Sequence, residues 1–320
     1  MRARVLRKVL VGSVVLVVTA AAGTTLGACG RQSDKSAGSS ASSSAGSTTA
    51  TASPAPARQQ VTLPIKGGQH FYPHDVAVDG QGTVYATAIN EGVLKLPPGS
   101  QQATSVGFTG LEFAVSGGVD AAGNVYVADD GSTAMGSKGR VQKRTPAGAQ
   151  TELPIIGLGQ DPRLAVASDG TVYVADHSHN RVLKLPPGAK SPSEMPFTGL
   201  KSPVYVAVDS AGNVYVSEVA DEQGSSSPRV LMLAAGSTTQ SVLPITAEKQ
   251  GAIAADSSGS VYLVGAHGIT VLAKGSQQTT QIQISGGPGG DPEISAIAVD
   301  THGNIYLADS KNEQFVELKA

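Results

Sequence analysis

One short pattern recurs six times along this sequence, and each copy ends in a tyrosine. In the clearest copies, segments 76–85, 206–215 and 297–306, an apolar stretch and an aspartate precede a glycine turn and a Val-Tyr or Ile-Tyr pair. Six of the eight tyrosines occupy this position at intervals of 41 to 47 residues, namely Tyr85, Tyr126, Tyr173, Tyr215, Tyr262 and Tyr306. A period of this length indicates a repeat architecture in which each unit packs on its neighbours.

Each repeat unit is predicted to form four β-strands. An apolar strand with a small residue at its centre comes first, and a tight turn containing Gly connects it to the Tyr strand. The third strand alternates, as in segments 93–96 and 182–185, and the fourth ends near Leu-Pro, as at Leu153-Pro154. Four strands in each of six units predict an all-β fold, a six-bladed β-propeller formed by residues 59–320.

The two ends of the repeat region complement each other. The last unit stops after a third strand at residues 315–318, whereas residues 60–65 match the fourth-strand pattern of residues 241–245. We therefore expect the N-terminal strand to pair with the last blade and close the ring, because this pairing removes two exposed sheet edges.

The composition agrees with a turn-rich β protein and excludes several other classes. The chain contains 39 Gly and 18 Pro, only 15% charged residues and no Trp, which does not suit a coiled coil or a helical bundle. Its single cysteine cannot form an internal disulfide. The net charge of -2 provides no basic surface, so we expect no nucleic-acid partner.

The N-terminal segment has the features of a secretory signal that ends at a lipid-attachment site. A basic start is followed by an uncharged, Val-rich run from residue 9 to 25 and then by Leu26-Gly27-Ala28-Cys29. These four residues resemble the lipobox of bacterial lipoproteins, which implies that residues 1–28 are removed and that Cys29 carries a covalent lipid such as palmitate. The alternative is a plain transmembrane helix, because the apolar run is long enough to span a bilayer.

Residues 29–58 are expected to connect the lipidated cysteine to the propeller as a flexible tether. From residue 30 to 57 the chain is dominated by Ser, Ala, Gly and Thr and contains no Leu, Ile, Val, Phe or Tyr, so it cannot bury a core. We expect a monomeric propeller that the lipid holds at the extracytoplasmic face of a bacterial cell membrane. No cofactor is expected besides the covalent lipid.

The repeat units resemble NHL repeats, most closely in segments 203–216 and 170–185, the latter containing His179-Asn180-Arg181-Val182. Segments 107–111 and 195–200 are similar to the extracellular sensor domain of mycobacterial receptor Ser/Thr kinase D. The resemblance covers residues 59–320 and implies a six-bladed sensor or binding domain. It does not imply kinase activity, because no kinase motif precedes the repeats. Ala167 departs from the pattern, since the other units have Asp at that position.

Binding is expected on one face of the propeller. The turns between the first and second strands are uniform, whereas the turns between the second and third strands and the connections between blades vary in length. Binding residues concentrate on irregular loops held by a rigid scaffold, so we expect them on the face that carries the variable loops, the loop face. Four acidic residues follow the Tyr strands on this loop face. They either form a carboxylate ring that holds a cation or each cap a turn locally, and we favour the local role; they are Asp129, Asp176, Glu218 and Asp309.

Histidines and aromatic residues on the loop face are further candidates for ligand contact. His177 and His179 lie two residues apart, and His70 and His74 flank Phe71 and Tyr72 in a long connection. We do not expect a metal site, because no third ligand accompanies either histidine pair. The aromatic cluster is a better candidate for a protein or glycan contact. Alternatively, Phe71 and Tyr72 cover the end of the closing strand.

Two functions of different classes fit the sequence. The favoured one is a non-enzymatic binding or sensing module for a protein, glycan or other cell-envelope ligand. The alternative is a propeller enzyme, a lyase, lactonase or hydrolase with a metal ion in the central channel, which needs inward His or carboxylate side chains on several first strands. Those strands present Val, Ala and Gly and contain no His, so we expect that the protein is not an enzyme.

The lipid-attachment prediction can be tested by mass spectrometry of the protein purified from bacterial membranes. We expect the mature chain to begin at a Cys29 that carries lipid, and we expect the Cys29→Ala variant to lack the lipid mass. A wild-type chain in which an unmodified Cys29 is still joined to Ala28 would contradict the prediction.

Overall fold

The computed structural model describes residues 58–68, 71–131, 139–218, 229–245, 251–266, 268–287 and 289–320. The predicted signal peptide, Cys29, nearly all of the tether and His70 lie outside these residues. Within them the chain forms six four-stranded antiparallel sheets arranged in a ring, so the prediction of an all-β six-bladed propeller is confirmed.

The first three blades each contain four consecutive strands. Strand β1 (Gln60–Thr62) precedes blade 1 in the chain but belongs to the last blade. The strands of blade 1 are β2 (Tyr72–Val78), β3 (Val84–Ile89), β4 (Gly92–Leu96) and β5 (Thr104–Ser105). Blade 2 has β6 (Ala114–Val119), β7 (Val125–Asp129), β8 (Arg140–Arg144) and β9 (Gln150–Glu152). Blade 3 has β10 (Arg163–Val166), β11 (Val172–Asp176), β12 (Arg181–Leu185) and β13 (Ser193–Glu194).

The remaining blades repeat this order, and the last one is completed by β1. Blade 4 has β14 (Pro203–Val208), β15 (Val214–Glu218), β16 (Arg229–Leu233) and β17 (Gln240–Val242). Blade 5 has β18 (Ile253–Ala255), β19 (Val261–Gly265), β20 (Gly268–Leu272) and β21 (Thr279–Ile282). Blade 6 has β22 (Ile294–Val299), β23 (Ile305–Asp309) and β24 (Gln314–Leu318).

The ring closes as the sequence predicts. Strand β1 pairs antiparallel with β24, and Gln60 lies opposite Leu318 while Thr62 lies opposite Val316. Leu63 extends this pairing by donating its backbone N–H to the carbonyl oxygen of Phe315 at 2.8 Å. The first and last segments of the propeller therefore share one sheet, in which β1 covers the otherwise exposed edge of β24.

An aspartate holds the turn between the first two strands in five of the six blades. In blade 4, Oδ1 of Asp209 accepts from the backbone N–H groups of Ala211 and Asn213, both at 2.9 Å, and Oδ2 accepts from the Tyr215 hydroxyl at 2.9 Å. The same set of bonds forms at Asp79, Asp120, Asp256 and Asp300. The recurring Asp and Tyr are therefore bonded partners six residues apart.

The hydrophobic core lies between the blades. Between blades 1 and 2, for example, Tyr85 and Val93 pack against Val125 and Val127. Near the axis the packing limits residue size, since a Cβ on Gly118 would lie 2.5 Å from Cγ2 of Val166. The equivalent residue is Ala in the other five blades, so the small residues predicted at the centre of each first strand reflect the convergence of six blades.

The structure contains one short helix among the residues it describes, a 3-10 turn at His177–His179. No helix in this part of the chain is both long enough and apolar enough to cross a membrane.

Replacing Tyr215 by Phe is expected to lower the free energy of unfolding by about 2 kcal/mol, because the variant loses a buried hydrogen bond to a carboxylate. The matched control is Tyr173→Phe, since Ala167 stands in blade 3 where Asp209 stands in blade 4. Urea denaturation of both variants measures the difference. Equal losses in the two variants would contradict the assigned role of the Asp–Tyr bond.

Candidate functional site

Four polar side chains gather at one end of the central channel, where six equivalent positions form a ring. Each position lies two residues before the small central residue of its inner strand. We call these six residues the channel ring. They line a cavity of about 170 Å³ on the axis, and blades 1 to 6 contribute in order Asp75, Ser116, Arg163, Tyr205, Ala252 and Ala296. The ring is therefore polar on blades 1–4 and apolar on blades 5 and 6.

Asp75 and Ser116 connect the first three blades. The Ser116 hydroxyl donates to Oδ2 of Asp75 at 2.6 Å, and Oγ of Ser116 accepts from the backbone N–H of Leu164 at 3.0 Å. Asp75 also accepts from the backbone N–H groups of Gly117 at 2.9 Å and Val76 at 2.8 Å. Burial raises the pKa of Asp75 above its ordinary value, and these hydrogen bonds offset part of that rise.

Arg163 is the buried cation of the channel ring, with 9% of its side chain exposed. Its Nη1 donates to the Val115 carbonyl oxygen and its Nη2 to Oδ2 of Asp161, both at 3.3 Å. Nε lies 3.2 Å from Oδ1 of Asp161, but its N–H does not point at an acceptor among the described residues. Although burial acts to lower the pKa of Arg163, the carboxylate of Asp161 raises it, so the guanidinium remains charged.

Tyr205 extends from blade 4 across the alanine half of the ring. Its hydroxyl donates to the Ser295 carbonyl oxygen of blade 6 at 3.0 Å, and its ring faces the Arg163 guanidinium at 5.1 Å. Ser295 in turn donates its hydroxyl to the carbonyl oxygen of Pro73 in blade 1 at 3.2 Å. A polar chain of contacts thus runs around the axis through blades 1, 2, 3, 4 and 6.

His74 lies beside the ring. Its Nδ1 is 2.8 Å from the carbonyl oxygen of Val115, so Nδ1 carries the proton and Nε2 keeps a free lone pair. Burial and the positive charge of Arg163 lower the pKa of His74, which keeps the imidazole neutral at pH 7. A neutral imidazole with a fixed tautomer can accept a proton or a hydrogen bond from a bound molecule.

The four acidic residues predicted on the loop face are separate, and each binds within or beside its own blade. Asp129 accepts from Arg140 at 2.9 Å and from the backbone N–H of Phe113 at 2.7 Å. Asp176 binds Arg181, and Glu218 binds Arg229, in the same way across the second and third strands. Asp309 binds Asn312 and Gln314 instead, and it also accepts from the backbone N–H of Glu293. Contacts of this kind are those expected if each acidic residue stabilises its own loop, the second of the two roles considered from the sequence.

The predicted aromatic and histidine candidates divide between core and surface. Phe71 is buried edge-to-face against Phe315, at a centroid distance of 5.9 Å, whereas Tyr72 is 42% exposed. His177 and His179 are exposed, and Nδ1 of His179 lies 2.9 Å from Oδ1 of Asp176. Among the residues that the structure describes, no three His, Cys, Asp or Glu side chains come together as a metal site would require.

The structure corrects the description of the inner strands as purely apolar. Strand β2 begins at Tyr72, because an irregularity between Pro73 and Asp75 lets the pairing continue past the proline, so His74 and Asp75 belong to an inner strand. Arg163 likewise opens β10. Sequence reasoning missed Asp75 as a channel residue and missed three other polar ring members altogether. They would have been found by aligning the six units on the small central residue and comparing the residues two positions before it; they are Ser116, Arg163 and Tyr205.

No family model matches the sequence, and no curated protein is similar to it. Solved structures share the fold. Virginiamycin B lyase from Staphylococcus aureus is 13% identical, with 82% of this chain and 88% of that chain covered and a TM-score of 0.56. A gluconolactonase from Xanthomonas campestris is 17% identical, with 82% and 89% covered and a TM-score of 0.61. A chain of the nidogen/laminin complex is 17% identical, with 74% and 89% covered and a TM-score of 0.59.

These similarities establish the propeller fold and contradict the prediction that the protein is not an enzyme. Two of the three similar structures are of enzymes, a lyase and a gluconolactonase, so the fold itself accommodates catalysis. The supporting argument also fails, since His74, Asp75 and Arg163 lie on inner strands. The prediction is therefore withdrawn.

Replacing Asp75 by Asn is expected to change how stability depends on pH. Because folding raises the pKa of Asp75, protonation of this residue favours the folded state, and its stabilising contribution is lost as pH rises through the folded pKa. Acidification from about pH 7 to 4 should therefore stabilise the wild type relative to the Asp75→Asn variant. Thermal unfolding across this range measures the difference.

Asp256→Asn is the control with the opposite sign. Burial acts to raise the pKa of Asp256, but hydrogen bonds from Ser258, Ser260 and Tyr262 outweigh it and lower the pKa. Its contribution is present above the unfolded pKa of about 3.9 and is lost as pH falls through the lower folded pKa, so acidification from about pH 5 to 2 should destabilise the wild type relative to this variant. The same trend in both variants would contradict the assignment.

Proposed function

We propose that this protein is a lipid-anchored propeller outside the cytoplasm that binds a small polar ligand at the loop-face end of its channel. The main support for this proposal is the asymmetry of the channel ring, which has four polar residues on consecutive blades and two alanines on the others. A purely structural repeat would favour similar residues at equivalent positions, as the five Asp–Tyr bonds show. The ring residues differ from blade to blade, as expected for a binding site built on a repetitive scaffold.

Arg163 supplies the strongest indication that a ligand completes the ring. Its guanidinium lines the cavity, and Nε, although it lies 3.2 Å from Oδ1 of Asp161, has no well-aligned acceptor among the described residues. A polar group of a molecule bound in the cavity would lie beside this positive charge. The guanidinium is already held in place by Val115, Asp161 and the Tyr205 ring, so little ordering would accompany binding.

The size of the cavity limits the ligand. At about 170 Å³ it is smaller than the cavities of roughly 300–1,000 Å³ that hold drug-sized molecules. The ligand is thus a small molecule or one terminal group of a larger envelope polymer.

The proposed cellular location depends on the N-terminal segment. The basic start, the apolar run and Leu26-Gly27-Ala28-Cys29 support export and lipidation at Cys29. The segment from residue 30 to 57, read as a flexible chain, would span roughly 30 Å, which is sufficient to lift the propeller clear of lipid headgroups. A sensing role for an envelope ligand follows from this location and from the ring.

Catalysis at the same ring is the second candidate, and His74 is the observation that favours it. Its neutral imidazole, fixed by Val115, has the protonation state of a general base, and the Arg163 guanidinium lies in the same site to stabilise developing negative charge. Similar structures include a lyase and a gluconolactonase.

A resident metal ion does not fit the channel ring. Its only carboxylate, Asp75, already accepts from Ser116, Gly117 and Val76, and the other ring members are Ser, Arg, Tyr and Ala. Arg163 would also repel a cation at this position. We derive no catalytic step through a metal.

One NMR experiment tests binding and catalysis together. Residues 59–320 are mixed with pools of small polar metabolites, and line broadening reports binding while loss of signals reports turnover. We expect at least one binder whose affinity falls about tenfold or more in Arg163→Lys, because lysine cannot reproduce the planar guanidinium fork. If the ligand is also a substrate, His74→Gln should abolish turnover and retain binding.

The control is His302→Ala, which changes an exposed histidine of a first turn on the opposite face. Binding should persist in this variant, and circular dichroism should show that all variants fold. Ligands that bind Arg163→Lys as tightly as the wild type, or that are lost only in His302→Ala, would refute the proposed site.

A further inference from the structure

We infer that the ligand recognised at the channel ring is a neutral pyranose sugar, free or at the end of a glycan, whose apolar face packs on Tyr72 and Phe113. This inference deepens the proposed function and depends on it. It is carried by two exposed aromatic side chains, an Asp–Arg pair and the hydrogen bonds that connect the chain segments holding them.

Tyr72 and Phe113 stand apart from the other aromatic residues. Both are 42% exposed, and they are the only Phe or Tyr side chains among the exposed large hydrophobic residues of the described chain. Each lies five residues before the small central residue of its inner strand, so they occupy equivalent places on the adjacent blades 1 and 2. Exposed aromatic side chains at equivalent positions of two adjacent blades offer apolar surface at the loop-face end of the inner strands.

Backbone contacts connect these aromatic residues to the channel ring. The carbonyl oxygen of Phe113 accepts from the N–H of Asp130 at 2.9 Å, and Oδ1 of Asp130 accepts from the N–H of Asp161 at 2.6 Å. Asp161 is the ion-pair partner of Arg163. On the other side, His74 follows Tyr72 by two residues and binds the carbonyl oxygen of Val115. These bonds tie the chain beside Tyr72 and Phe113 to the polar groups around Arg163, on the loop-face side of blades 1–3.

The charges of these polar groups suit a neutral ligand. Asp161, whose side chain is 50% exposed, presents acceptor oxygens beside the Arg163 guanidinium, which lines the cavity. A sugar hydroxyl can donate to the carboxylate while its neighbour accepts from the guanidinium. An anion would meet the carboxylates of Asp75, Asp130 and Asp161, and a cation would meet Arg163.

The backbone at Asp161 holds this carboxylate in position. Asp161 has φ of 49°, in the left-handed region that Asp tolerates better than most residues. The bond from its N–H to Asp130 and the ion pair with Arg163 fix the conformation from both sides. Residues held in such conformations cluster at binding sites, because the surrounding structure must determine them.

Saturation-transfer NMR tests the inference with the methyl pyranosides of glucose, mannose, galactose and N-acetylglucosamine. Sorbitol is the ligand control, since it carries sugar hydroxyls but no ring face. We expect saturation transfer to the C–H protons of at least one pyranoside and none to sorbitol. Phe113→Ala should weaken binding about fivefold by removing the packing surface. Asp161→Asn should also weaken it, by removing the charged acceptor.

Ile156→Ala is the matched control variant, because Ile156 is 84% exposed and takes part in none of the contacts described above. It should bind the pyranoside as the wild type does. Pyranoside binding that Phe113→Ala leaves unchanged would overturn the inference. If no pyranoside binds while another metabolite, or a peptide, binds in an Arg163-dependent manner, the sugar inference fails and the proposed function stands. If nothing binds in an Arg163-dependent manner, both fail.

Discussion

The hydrogen bond between a tyrosine hydroxyl and an aspartate carboxylate is the interaction on which five of the six blades depend. It closes the hairpin between the first two strands in five blades, at distances from 2.8 to 3.3 Å. Burial and the neighbouring carboxylate together raise the pKa of the tyrosine, to about 12 for Tyr262, so the hydroxyl stays protonated and able to donate. Because the bond fixes the register of the hairpin, it also fixes which inner-strand residues face the channel.

The same repeat leaves one position free to vary. At the small central position of each inner strand, packing near the axis restricts residue size, since even a Cβ on Gly118 would lie 2.5 Å from Cγ2 of Val166. Two residues earlier the sequence is not restricted in this way, and the chain places Asp75, Ser116, Arg163 and Tyr205 there. Residues of the scaffold and of the candidate site are therefore neighbours in sequence, but packing near the axis restricts only the scaffold positions.

The fold could be predicted from sequence because its signals are local and repeated. The Tyr period, the glycine turns and the alternating strands each appear within a unit, and the closing strand follows from the count of strands. The site could not be predicted in the same way. The hydroxyl of Tyr205 donates to Ser295, which lies ninety residues further along the chain. Pro73 suggests a loop when only the sequence is considered, yet β2 continues past it through an irregular pairing. Asp129 and its equivalents were visible in sequence, but their pairing with Arg140 and its equivalents emerges only from the strand register.

Methyl NMR of the alanine-labelled propeller tests the central claim most directly, namely that ligand binds at the channel ring. Ala252 and Ala296 belong to the ring, whereas Ala122 and Ala211 lie in first turns at the other end of the inner strands. Titration with the tightest-binding member of the metabolite pools should shift the methyl signals of Ala252 and Ala296 and leave those of Ala122 and Ala211 in place. Shifts confined to Ala122 and Ala211 would show that the ligand binds the opposite face, and the account would be wrong.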